Sequence, residues 1–168
     1  MNRRGFTITE LLVVIAIISI LLALATMGFH QWQVKANVES EVKQLYADIR
    51  NMQQQAMVRL MTHRVNFASM NNVTFLRFTD ETDVTGTQIL QKNLSYAITL
   101  SSSFPASPNQ YFEFNNRGLM IDPATKAICI YSDSGATVDS IVIMQSRINL
   151  GKLKNMGGAC DVSNIDLK

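Results

Sequence analysis

The sequence predicts an α+β chain, in which one long N-terminal α-helix, half of it membrane-spanning, packs against a small antiparallel β-sheet head. Three observations predict it. From Phe6 to Phe29 the only charge is Glu10, a stretch long enough for a helix to cross a bilayer. No proline interrupts residues 6–62, and apolar positions recur at spacings of three and four well beyond the apolar run. After residue 62 the periodicity shortens to two and turn residues become frequent.

The first element is a basic leader, Asn2, Arg3 and Arg4, ahead of Gly5. The arginines hold the N-terminus in the cytoplasm and send the rest of the chain outward. Leu11 to Ala25 follows with Ser19 as its one polar residue. Glu10 is costly there, on the order of 2.5–3.5 kcal/mol at a bilayer centre and less near the interface. Cleavage after Gly5 would make Phe6 a cationic terminus one turn away. In a stack of such helices the amine of one subunit could neutralise Glu10 of the next, since a paired charge in low dielectric is penalised far less than a lone one.

The run Arg3-Arg4-Gly5-Phe6-Thr7-Ile8-Thr9-Glu10-Leu11-Leu12-Val13-Val14 resembles the class III signal of type IV prepilins and type II secretion pseudopilins. The resemblance implies cleavage between Gly5 and Phe6 by prepilin peptidase, N-methylation of Phe6, and an assembly role for Glu10. It also implies other pilins as partners through the helix, an inner-membrane assembly platform, and a single-pass inner-membrane location with a periplasmic head. One departure stands out: many major pilins carry a proline where this chain has Met27, and Gly28 is the local helix-weakening residue. An ordinary signal peptide cut after Ala23-Leu24-Ala25, or a plain uncleaved anchor, are the alternatives. Glu10 and the helical pattern past Ala25 argue against both.

The helix continues on the stripe Val34, Val38, Val42, Leu45, Ile49, Met52, Ala56 and Leu60, with Lys35, Glu39, Glu41, Lys43, Asp48, Arg50 and Gln53–Gln55 as a solvated face. Some 55 helical residues would extend about 80 Å. The expected organisation is a leader at 1–5, a transmembrane and assembly half at 6–29, an amphipathic half at 30–62, and a β-rich periplasmic head at 63–168.

Within the head, His63–Ser69 and Val73–Thr79 read as strands around an Asn71-Asn72 turn. Short strands are expected at Ile89-Leu90 and Leu94–Leu100, then an irregular link from Ser101 to Gln110 with Pro105 and Pro108. Tyr111–Phe114 leads into the turn Asn115-Asn116-Arg117-Gly118 and a strand at Leu119–Ile121. Ala127–Tyr131 and Ser140–Gln145 are strongly strand-like, Arg147–Leu153 is expected as the last strand, and 155–168 as a loop-rich tail.

Phe112–Gly118 and the late run Ser146–Lys154 resemble the GspH/FimT group of minor pilins and pseudopilins, which often show an F-x-x-x-G turn and a late G-R-x-R-like element. This implies a minor subunit of a pilus or pseudopilus. Some FimT-like proteins bind DNA through the late element during natural transformation. The corresponding positions here are Gly151-Lys152-Leu153-Lys154, with Arg147 nearby. Arg147, Lys152 and Lys154 are therefore candidate DNA contacts, through lysines that attract phosphate without arginine's bidentate fork. The plainer alternative is a solvated lysine pair on a sheet edge.

Charge does not favour a polyanion partner. Of 15 basic residues, Arg3 and Arg4 lie in the leader, leaving 13 against 13 acidic ones. Cys129 and Cys160 both fall in the exported part, where an oxidising compartment would allow one disulfide; two free thiols are the alternative. His30 and His63 lack neighbours at catalytic or metal-ligand spacing, and no glycine-rich phosphate loop occurs. No enzymatic activity, metal or cofactor is expected.

Overall fold

The computed structural model describes residues 7–80, 83–105 and 110–168, with the side chains of residues 24–28 and 132 outside that description. The chain divides into two compact units, 1–34 and 35–168. The helix α1 runs Ile8–Arg59. Among the described residues, no helix is long and apolar enough to cross a membrane. The sequence's own apolar run extends through Leu24 and Ala25, two positions whose side chains are not described.

In the first unit α1 is apolar on every side. Its large side chains from Leu11 to Leu22 are each between 41% (Val14) and 65% (Leu12) exposed among the described residues. The Ser19 hydroxyl donates to the Ile15 carbonyl at 2.8 Å. That bond removes the one polar group of the run from any demand on its surroundings.

In the second unit the same helix has a buried side. Val38, Val42, Leu45, Ile49 and Ala56 are fully buried and Met52 nearly so. The stripe is shorter than its sequence pattern at both ends. Val34 is half-buried, and Leu60 is exposed with a left-handed backbone (φ 55°), because α1 has already ended at Arg59.

Among the described residues, nine strands form two antiparallel sheets. The first contains β1 (His63–Ser69), β2 (Asn72–Arg77), β3 (Thr87–Asn93) and β5 (Tyr111–Phe114), ordered β3-β2-β1-β5. Alternation places Val65, Phe67, Val73, Phe75, Phe112 and Phe114 inside. Phe112 packs edge-on against Phe114, their ring centres 5.5 Å apart. The β1–β2 turn is Met70-Asn71, one residue earlier than expected, because Asn72 already pairs with Ser69.

The second sheet contains β4 (Ile98–Leu100), β6 (Lys126–Ile130), β7 (Ser140–Ile143), β8 (Ile148–Leu153) and β9 (Ile165–Leu167), ordered β4-β6-β7-β8-β9. Every residue of β6 and β7 is buried, as continuous apolar strands require cover on both faces. The tail supplies part of that cover. Cys160 and Ile165 join Ala127, Cys129, Val142 and Leu153 in one apolar cluster.

Two expectations are thereby corrected. The tail 155–168 is mostly loop but contains a short 3-10 turn (Val162–Asn164) and β9, so β8 is not the last strand and β9 forms the sheet edge. The expected strand at Leu119–Ile121 is reduced to a single bridge, Met120 to Phe114. The Met120 amide donates instead to the Gln145 carbonyl beyond β7.

Candidate assembly site

Gly5 and Phe6, the expected processing positions, lie outside the described residues, as do Arg3 and Arg4. The description begins at Thr7, beside Glu10, and the two form a reciprocal cap. The Glu10 amide donates to Thr7 Oγ1 at 3.3 Å, and the Thr7 amide reaches Glu10 Oε2 at 3.5 Å. Thr7-Ile8-Thr9-Glu10 is thus a capping box at the start of α1. The Thr-x-x-Glu spacing is the local signal in the sequence that corresponds to this cap. The cap places a carboxylate in the first helical turn, where the helix dipole favours it. It also means that a charge partner from a second helix would meet a carboxylate already oriented by its own chain.

In the second unit the supposedly solvated face of α1 carries the attachments of the head. Glu41 is buried and accepts amides from Ser95 (2.6 Å) and Tyr96 (3.3 Å). Glu39 accepts the Thr137 amide at 2.7 Å, a bond that holds its carboxyl below the usual range. Asp48 pairs with Lys92 at 2.7 Å. Gln53, also buried, donates to the Gly118 carbonyl at 2.9 Å.

That last bond explains the Phe-x-x-x-Gly turn. Asn115 Oδ1 accepts the amides of Arg117 (2.9 Å) and Leu119 (3.0 Å), folding the turn back on itself. Gly118 sits at φ 70°, and a β-carbon there would lie 2.5 Å from Met57 Cγ. Only glycine meets both demands.

The three candidate DNA contacts are not presented alike. Arg147 and Lys154 are exposed and Lys152 is half-buried. Lys152 stands opposite Asp166 in the β8–β9 register. The Lys154 ammonium donates to the Ser163 carbonyl at 2.8 Å and lies 3.9 Å from Asp166. Gly151 has a packing reason of its own, because a β-carbon there would collide with Ile165 Cγ2. The late glycine-lysine element therefore serves the docking of β9, and its cations are partly engaged.

Cys129 and Cys160 form a disulfide across 31 residues, tying the tail to β6. Among the described residues, no group of three or more His, Cys, Asp or Glu side chains could hold a metal ion. Lys126 is also buried, a placement that no local spacing signals. The Lys126 ammonium donates to Asp122 (2.6 Å) and to the Ser103 carbonyl (2.7 Å) beneath the Phe104 ring. The hydrogen bond from Lys126, followed by one from the Ala124 amide, lowers the Asp122 pKa.

Comparison with known proteins adds two findings. Residues 1–26 match the prokaryotic N-terminal methylation motif. The fold is similar to that of the type IV minor pilin FimU of Pseudomonas aeruginosa, at 12% identity and a TM-score of 0.50, covering 67% of this chain and 90% of that one. It is equally similar to the minor pseudopilin EpsH from the Type 2 Secretion System of Vibrio cholerae, at 14% identity and a TM-score of 0.50, covering 68% and 95%. No curated protein sequence matches. The chain thus carries a methylation motif over its first 26 residues and shares a long-helix and β-head fold with a minor pilin and a minor pseudopilin.

Proposed function

We propose that this chain is a minor pilin or pseudopilin, a structural subunit of a type IV pilus or a type II secretion pseudopilus. The observation that carries it is the first half of α1, apolar and exposed on all sides, within the residues that match a methylation motif. Such a helix needs lipid first and the helices of other subunits afterwards. Phe29 and Trp32, in ring contact and both more than 60% exposed, suit the membrane interface at its outer end. The head then lies in the periplasm, where its disulfide is compatible with the redox environment. Prepilin peptidase removes residues 1–5 and Phe6 is methylated. In the membrane Glu10 waits in its capping box, and in the filament it is neutralised by the amine of a neighbour.

Intact mass of the protein extracted from its host membrane tests the reading. The expected product begins at Phe6 and carries one added methyl group; a mature end at Thr26 would overturn it. Glu10→Ala should remain in the inner membrane and be missing from sheared filaments, since it loses the partner while becoming easier to insert. The duplex-DNA reading has a simple test as well. Binding by the full chain in detergent that disappears in the Lys152→Ala, Lys154→Ala double variant would establish it, and no binding at low salt would dismiss it.

A further inference from the structure

The first sheet has an open edge that its other borders lack. Among the described residues β3 is paired only through β2, leaving the outer backbone groups of its seven residues without a described ladder partner. The other borders are treated differently. β4 and β9 are three residues each, and β5 is continued by the Met120 bridge and by the Ile121 amide on the Glu113 carbonyl. Edge strands are ordinarily protected by shortness, proline, or an outward lysine. β3 has no proline, and its one charge, Lys92, is bound to Asp48 of α1. A bulge occurs at Ile89, but it presents an isoleucine where a protective edge would present a charge.

The side chains point the same way. Leu90 stands opposite Phe75 in the register, so both leave the sheet on one face. Phe75 is fully buried, whereas Leu90 is 42% exposed and Ile89 40%. The apolar face of the sheet thus runs one strand further than the chain's own elements cover.

We infer that the β3 edge is a docking surface for an extended strand of a neighbouring pilin-type subunit, which completes the backbone ladder and covers Ile89 and Leu90. The inference rests on the filament reading above. Unpaired amides and carbonyls in a row select an extended polypeptide over any compact ligand. With Lys92 spent on Asp48, the edge offers no free charge, so the incoming strand is an uncharged one with an apolar residue opposite Leu90. The same ion pair fixes β3 against the polar side of α1, the element around which subunits gather in a helix-cored filament.

Amide hydrogen exchange on the full mature chain, alone in detergent and within sheared filaments, tests this. Amides of β3 that exchange rapidly in the isolated protein should slow at least about tenfold in the filament. Gln91→Lys, at an exposed position, and Ile89→Lys should each lower incorporation by roughly tenfold while the melting temperature stays within a few degrees, a change equivalent to about 1.4 kcal/mol of docking free energy. Wild type present in filaments with β3 exchange unchanged would overturn the inference and leave the filament reading standing. Concentration-dependent protection in the isolated chain would also overturn it, by showing that the occupant is a second copy. Absence of the wild type from filaments would overturn both readings.

Discussion

The two halves of α1 share a backbone and differ in everything their side chains ask of the surroundings. From Ile8 to Leu22 the apolar residues occupy all sides and are exposed, and the one charge is held in the first turn by Thr7. From Val38 to Ala56 the apolar residues form one fully or nearly buried stripe, and the polar residues between them grip the head. A helix apolar all round has no preferred side and depends on lipid or on other helices. A helix with one apolar side specifies its neighbour within the chain. The stability of the folded head should therefore depend on the second half and be indifferent to the first.

The largest expected effect breaks that comparison directly. Leu45→Ala removes a fully buried side chain and should destabilise the head by about 3–5 kcal/mol. Leu12→Ala, at a 65% exposed position, should change head stability by less than about 0.5 kcal/mol. Denaturant unfolding of the full chain in detergent, followed through a probe in the head, measures both; equal losses would mean that the halves are not energetically distinct.

Next in size is the disulfide, which has no counterpart in the first unit. The Cys129→Ser, Cys160→Ser double variant should lose roughly 3–4 kcal/mol, the loop-entropy value for a 31-residue separation. It should also raise proteolytic sensitivity first in 155–168, because Cys160 and Ile165 are the tail's buried anchors in the sheet cluster. Limited proteolysis with and without reductant reads this out; cleavage beginning instead in the β1–β2 hairpin would contradict it.

A smaller effect is expected where the head grips the helix. Gly118→Ala forces a side chain into a left-handed backbone and against Met57, costing about 1–3 kcal/mol. Met57→Ala in the same background should recover part of the loss, since it clears the collision and leaves the backbone strain. No recovery would place the whole cost in the backbone.

The smallest effect is a pH dependence confined to the second unit. His63 is fully buried; burial lowers its pKa most, and Arg77 and Arg59 lower it further. The unfolded chain then binds a proton that the folded chain resists, so stability is complete above about pH 6.5, the ordinary histidine value, and falls as pH drops below it. The slope attributable to this group should stay below about 1.4 kcal/mol per pH unit. His63→Phe should flatten it in urea titrations between pH 7 and pH 5, and an unchanged slope would assign the effect to other groups.

Much of this molecule was legible in one dimension, because the relevant forces act between residues close in sequence. The N-terminal methylation motif is legible as a resemblance of residues 1–26, while the helix, the Val38–Ala56 stripe and the strands His63–Ser69 and Tyr111–Phe114 follow from local spacing. Both cysteines lie after residue 62 in the sequence, although their pairing awaited the fold. What only the tertiary structure decided are features whose causes lie far apart along the chain. Glu41 and Gln53 fell on a face that counts as solvated by helical period. Their burial is set by amides 54 and 55 residues away and by a carbonyl 65 residues away. Lys126 could enter the core only because Asp122 and the Ser103 carbonyl meet its ammonium there. Gly151, which reads in sequence as part of a basic element, is dictated by Ile165 of a strand that pairs beside it. Periodicity reports which side of an element is apolar, whereas the fate of a buried polar group or a glycine depends on the partner that packing brings to it.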